Sequence, residues 1–106
     1  MIELNGNDPV RNLGRFVYIK KGKGKGQYAV IIEVIDQKNV LIADGIRRTF
    51  DRPKKKNIQH LQFIDCISPE VRSSLVETGR VTNGKLRYAM YKFVNEVLQE
   101  NRRENN

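Results

Sequence analysis

At 106 residues, 39% of them hydrophobic and none tryptophan, the chain fits one domain with a small core. Its formal net charge of +8 favours an anionic partner, and its single cysteine, Cys66, excludes an internal disulfide and points to a reducing cytoplasm. No stretch approaches the ~18 consecutive apolar residues of a membrane span, and the first residues lack the apolar core of a secretory signal, so no membrane partner is expected.

Residues 1–12 mix Ile2 and Leu4 with Asn5, Gly6, Asn7, Asp8 and Pro9, and read as a turn-rich arm. Leu13-Gly14 then leads into a first strand over residues 15–20, rich in β-branched and aromatic side chains. A loop over residues 21–26 alternates lysine with glycine, which predicts a pliant backbone whose N–H groups approach another surface, with lysines supplying charge. The second strand, over residues 27–36, places Tyr28, Val30, Ile32 and Val34 on one face and Ala29, Ile31 and Ile35 on the other. Apolar residues on both faces predict a strand covered on both sides, as when a bent sheet closes on itself or a helix covers its outer face. A strand in any α+β core has the same periodicity.

Asp36, Gln37, Lys38 and Asn39 have turn composition, and Val40 to Ala43 read as a third strand. Asp44-Gly45 predicts a tight turn, and residues 47–52 a short, charged fourth strand that Pro53 ends. Lys54, Lys55 and Lys56 fall in the next loop, and residues 58–64 form a last strand. Five short strands with close turns predict a mainly β fold, a small barrel over residues 1–66.

From residue 67 the composition is helical, and a two-helix extension over 67–106 is expected to pack on the barrel. Ser68, Pro69 and Glu70 read as N-cap, first-turn proline and first-turn acid, Val71 and Leu75 as an i,i+4 pair, and Gly79 as the stop. A second helix starts near Thr82-Asn83; Leu86, Ala89, Met90, Phe93, Val94, Val97 and Leu98 follow its apolar stripe. That stripe is most simply core, with a partner surface as the other reading. Residues 99–106 are wholly polar.

Charge is distributed unevenly. Residues 1–56 hold 13 Lys/Arg against 6 Asp/Glu, whereas residues 57–106 hold 7 against 6. Two clusters account for the surplus. Lys20, Lys21, Lys23 and Lys25, with Arg11 and Arg15, lie in a stretch without acid between Asp8 and Glu33; Arg47, Arg48, Arg52, Lys54, Lys55 and Lys56 are interrupted only by Asp51. Both coincide with loops or strand ends, which favours phosphate contact over a merely solvated face. Of the nearby aromatics, Tyr28 and Phe50 are expected in the core and Tyr18 exposed, while Tyr88 and Tyr91 rim the helix interface.

Catalysis finds little support. His60 is the one histidine and falls in the predicted last strand, and Cys66 has no second cysteine for a redox or zinc spacing. Asp36, Asp44 and Asp51 read as turn residues rather than a metal cluster. The glycine–lysine loop lacks the Gly-Lys-Ser/Thr ending of a nucleotide-binding P-loop and leads into a strand. No enzyme, cofactor or metal is expected.

The stretch from Arg15 to Asp44 resembles a KOW motif, the strand-loop-strand of small SH3-like barrels in ribosomal proteins and transcription factors. Lys25-Gly26 matches the motif's glycine, with alternating apolar positions on either side. Where many KOW sequences carry a second glycine this chain has Ala29, a departure shared by archaeal and eukaryotic large-subunit ribosomal proteins of the fourteen-e group. The likeness to that group extends through Leu13-Gly14-Arg15, Val40 to Gly45, Arg47-Arg48 and Lys54 to Lys56, and that to short bacterial KOW-domain RNA-binding proteins through Val81-Thr82-Asn83. The resemblance implies an SH3-like barrel bound to RNA, with ribosomal RNA of the large subunit as partner, ribosomal proteins nearby, and a monomer off the ribosome. The implied contacts are Arg15, Lys20, Lys21, Lys23, Gly24, Lys25, Gly26, Arg47, Arg48, Arg52, Lys54, Lys55 and Lys56. A protein-interaction adaptor of the transcription and translation machinery is the alternative.

Overall fold

A computed structural model describes residues 9–99. The first eight residues of the predicted arm, and the polar tail beyond Gln99, lie outside the described residues. Five antiparallel strands, β1 (Arg15–Ile19), β2 (Tyr28–Val34), β3 (Asn39–Ala43), β4 (Lys54–Asn57) and β5 (Leu61–Ile67), form one sheet in the order β4-β3-β2-β1-β5. The two edge strands are consecutive in the chain and joined only by the 3₁₀ turn Ile58–His60. So short a link between opposite edges requires the sheet to curl until they approach. The turn is tied to the end of β1, where the Lys20 and Lys21 N–H groups donate to the His60 carbonyl at 2.8 and 3.3 Å.

The curled sheet buries both faces. Val17, Ile19, Ala29, Ile31, Val40, Ile42 and Leu61 form an inner cluster to which, among the described residues, neither C-terminal helix contributes, so the sheet and its 3₁₀ turn close over them. On the outer face Phe16, Val30, Ile32 and Ala43 pack against Val71, Leu75, Val81, Leu86, Ala89 and Phe93 from the helical segment. Both of the covers expected for a strand apolar on two faces are present. The pairing of β2 with β3 is irregular between Ile31, opposite Ile42, and Glu33, opposite Leu41, which is a bulge at Ile32. The extra residue reverses the alternation beyond it. Val34, predicted on the face of Val30, therefore packs on the inner cluster, Glu33 is exposed, and Ile35 is left 42% exposed.

Two further expectations are corrected. Residues 47–52 form bends and turns rather than a fourth strand, and the lysines placed in a loop form β4. Backbone bonding explains the exchange. The Asp44 carboxylate accepts from the N–H groups of Ile46, Arg47 and Arg48 at 2.8, 2.9 and 3.0 Å, and the Asn83 side chain accepts from Phe50 N–H at 2.8 Å. Donors satisfied by side chains have no need of a ladder. The last strand begins three residues later than predicted, because Asn57 caps the 3₁₀ turn through Gln59 N–H. His60 is therefore an exposed turn residue, and its carbonyl rather than its ring is engaged.

Helix α1 (Pro69–Thr78) starts and stops where predicted: the Ser68 hydroxyl accepts from Val71 N–H at 3.2 Å, and Gly79 is left-handed at φ 74°. The N–H of Glu70 at the helix start holds its carboxyl below the ordinary range. Helix α2 (Asn83–Lys92), capped by the Thr82 hydroxyl, continues without a break as a π-helical stretch, Phe93–Leu98. A π turn closes on the fifth residue rather than the fourth, which brings Leu98 as well as Val97 round to the face of Phe93. Val94, placed in the stripe by the ordinary helical period, is 40% exposed instead. Phe93 is buried against Phe16, rings stacked at 4.2 Å.

Candidate nucleic-acid interface

Antiparallel strands in sequence order send alternate connections to the same end of a sheet. The β1–β2 and β3–β4 connections therefore emerge together, and the turn between β2 and β3 lies at the opposite end. Nearly all the surplus charge sits in those two connections and the start of β4.

Gly22, Gly24 and Gly26 of the first connection all have positive φ, at 82, 88 and 93°. Their alternation with lysine gives two overlapping turns, Lys25 N–H to Gly22 carbonyl at 3.1 Å and Gln27 N–H to Gly24 carbonyl at 3.0 Å, closed by Gly26 N–H to Ile19 at 2.9 Å. The amides of Lys25, Gly26 and Gln27 are thus bonded within the loop. What the loop offers outward is side-chain charge, because Lys20, Lys21, Lys23 and Lys25 are all exposed.

The second connection is held from below. Besides the three bonds to the Asp44 carboxylate, the Asp44 and Gly45 N–H groups donate to the Arg48 carbonyl at 2.9 Å each. The Arg87 guanidinium donates to the Gly45 carbonyl at 3.0 Å. Asn83 and Arg87 belong to the start of α2, so the helical segment positions the arginine loop as well as covering the sheet.

Between the two connections lies a cleft of about 360 Å³. Lys23 and Gly24 line one side, Arg47, Arg48 and Lys54 the other, and Tyr28 with the buried inner-cluster residues Ile19, Ala29 and Ile42 the bottom. Five of the residues implied by the resemblance thus meet at one mouth, with Lys20, Lys21, Lys25 and Gly26 on the same loop. Arg52 and Lys55 are exposed and do not line it, and the Lys55 charge acts on Asp36 in the turn between β2 and β3.

Two others sit elsewhere. Arg15 is at the far end of β1, where the β1–β5 pairing jumps: Arg15 faces Ile67 but Val17 faces Phe63. Its guanidinium donates to the Ile64 carbonyl at 2.8 Å and to the Asn12 side chain at 2.7 Å, supplying a partner where the ladder breaks. Burial lowers its pKa, and the Asp65 carboxylate opposes that shift. Lys56 is only 5% exposed and its ammonium donates to the Lys21 carbonyl at 2.9 Å, bracing the glycine loop from inside. Burial, with the charge of Lys54, pushes its pKa down. Strand alternation separates it from exposed Lys55, a distinction that a run of three lysines does not display.

Tyr18, expected to be exposed, is half-buried and tilted against Tyr28 at 5.1 Å, and Tyr28 in turn meets Phe93 at 5.4 Å. Phe50 is half-buried under the Arg80 guanidinium. Tyr88 and Tyr91, expected to rim the helix interface, are 56% and 66% exposed. Burial and the nearby Asp65 push the Cys66 thiol up, which disfavours a nucleophilic role. No helix among the described residues is long and apolar enough to cross a membrane. Sequence reasoning did not find Gln27 and Asp44 in the cleft wall, or the bracing by Asn83 and Arg87. The Asp-Gly pair signalled the turn at Asp44; a cap reaching back 33 positions from Asn83 leaves no local signal.

No protein-family model matches the chain. It is 48% identical over 71 residues to "Putative ribosome-binding protein YbzG" of Bacillus subtilis (strain 168), an overlap covering 67% of this chain and 96% of that protein. With nearly half the residues shared along almost the whole of the relative, this chain belongs to the YbzG family.

Proposed function

We propose that this protein is a non-catalytic, cytoplasmic RNA-binding protein of the ribosome, contacting ribosomal RNA of the large subunit through its basic mouth. One observation carries the reading: two basic segments more than twenty residues apart in sequence converge on one end of a curled sheet. A charge surplus serving solubility alone has no reason to gather there. The name of the Bacillus relative supports a ribosomal partner, and the KOW resemblance supports RNA as the part of the ribosome touched. Lysines project from a loop whose backbone is bonded internally, so the contact is to phosphates and to the shape of structured RNA.

Replacing Lys21, Lys23 and Lys25 together by alanine tests this. The exposed side chains leave the fold intact, while RNA affinity falls and its salt dependence flattens by roughly 0.7–0.9 log units per lost phosphate contact. An unchanged affinity and salt slope in a filter-binding titration would remove the loop from the interface. A specific feature favours a second, protein-binding reading: Tyr88 and Tyr91 are exposed one helical turn apart on α2, with Val94 beyond them. Co-sedimentation with ribosomes that survives the lysine triple variant but is lost in Tyr88→Ala/Tyr91→Ala would put the adaptor role first.

A further inference from the structure

The mouth is a cleft, not a flat basic surface. Its volume of about 360 Å³ lies at the small end of the ~300–1,000 Å³ typical of sites that enclose a ligand. Its bottom is lined by half-buried Tyr28 and by Ile19, Ala29 and Ile42, nearly closed over, where three strands end, while Lys23, Arg47, Arg48 and Lys54 carry the rim. Phosphate alone has no use for such a floor. A flat, weakly polar ring does, provided that its phosphates stay at the rim.

We infer that the cleft takes one unpaired nucleotide of the bound RNA, its base on the apolar floor and its flanking phosphates on the arginines and lysines of the rim. The inference rests on the RNA-binding reading above and sharpens it. A paired base cannot enter, because it is held stacked between its neighbours in the duplex; a base in a bulge, loop or end is free to turn out. Gln27 supplies an amide in the wall, able both to donate to and to accept from a base edge. The Asp44 carboxylate is committed to the backbone of residues 46–48, which fixes the two arginines against the opening. That rigidity lowers the ordering cost of a bound nucleotide.

The full-length protein would be titrated with a blunt RNA duplex and with the same duplex carrying one bulged nucleotide. The bulged duplex is expected to bind about tenfold more tightly, the scale of seating a single base. Gln27→Trp, which fills the cleft and leaves every basic side chain in place, brings the bulged duplex down to the affinity of the continuous one. A second measurement needs no variant: nucleoside monophosphate shifts the amide NMR signals of Gln27 and Ala29, and inorganic phosphate does not. Equal, measurable affinities for the two duplexes would overturn the nucleotide cleft while RNA binding stood. Binding to neither would overturn the RNA reading and the cleft with it.

Discussion

Gly26 and Gly45 share a left-handed backbone, with φ of 93° and 83°, yet they answer differently to a methyl group. A Cβ on Gly26 would meet no atom within 4 Å, so Gly26→Ala pays only the backbone cost of a left-handed residue, about 1–2 kcal/mol. On Gly45 it would lie 2.6 Å from the Asn83 carbonyl oxygen and 2.9 Å from Arg87 Cγ, at the close approach of the arginine loop to α2. Gly45→Ala is therefore expected to cost more than Gly26→Ala, and to displace Arg47 and Arg48 as well. In thermal melts the Gly26 variant should lose roughly 4–8 °C per kcal/mol, with the Gly45 variant melting lower still. RNA affinity should fall further in the Gly45 variant. Equal melting temperatures would show that the loop yields to the methyl group and that α2 does not set its position. The KOW resemblance singles out Gly26, but the tighter constraint belongs to Gly45, where contact comes from residues about forty positions away.

At the scale of elements, α2 with its π-helical continuation is the cover of the outer sheet face. Phe93 is 1% exposed, stacked on Phe16 and tilted against Tyr28. Phe93→Ala should cost about 3–5 kcal/mol, the range for deleting a buried phenyl ring. Chemical denaturation would read this as a lower midpoint with little change in slope. A variant as stable as the parent would mean that the helix leaves the sheet readily. This helix was legible because its stripe follows the 3.6-residue period as far as Phe93, and fails only at Val94, where the turn widens. Both ends of α1 were legible for the same local reason: Ser68 and Gly79 each act within one turn of their own position. The β3–β4 region was not. Arg47 to Arg52 has the better strand composition, but Asp44 and Asn83 satisfy its N–H groups, and the ladder passes to Lys54, Lys55 and Lys56 opposite Ile42, Leu41 and Val40. Propensity lost to hydrogen bonds that form only in the folded chain. The bulge at Ile32 is the same kind of omission, since one extra residue in the pairing redirects Val34 and Ile35 without altering the pattern read along the strand.

For the whole molecule, the question is whether attraction to RNA comes from net charge or from where that charge sits. A protein at +8 draws polyanions from any direction, and this long-range pull is blind to orientation. The curled sheet provides a geometric test. Arg47 is exposed at the basic mouth, and Lys38 is exposed in the turn between β2 and β3 at the opposite end. Arg47→Glu and Lys38→Glu lower the net charge by the same two units, so any effect of overall charge is identical in the pair. If the mouth is the contact surface, Arg47→Glu should weaken RNA binding by about tenfold at low salt and reduce the salt slope by about one contact, as loss of a phosphate partner does. Lys38→Glu should stay close to the parent in both respects. Neither side chain is buried, so both variants should melt near the parent temperature. Equal losses in the two would show that the protein is held to RNA by its charge as a whole. A larger loss in Lys38→Glu would move the contact surface to the opposite end of the sheet.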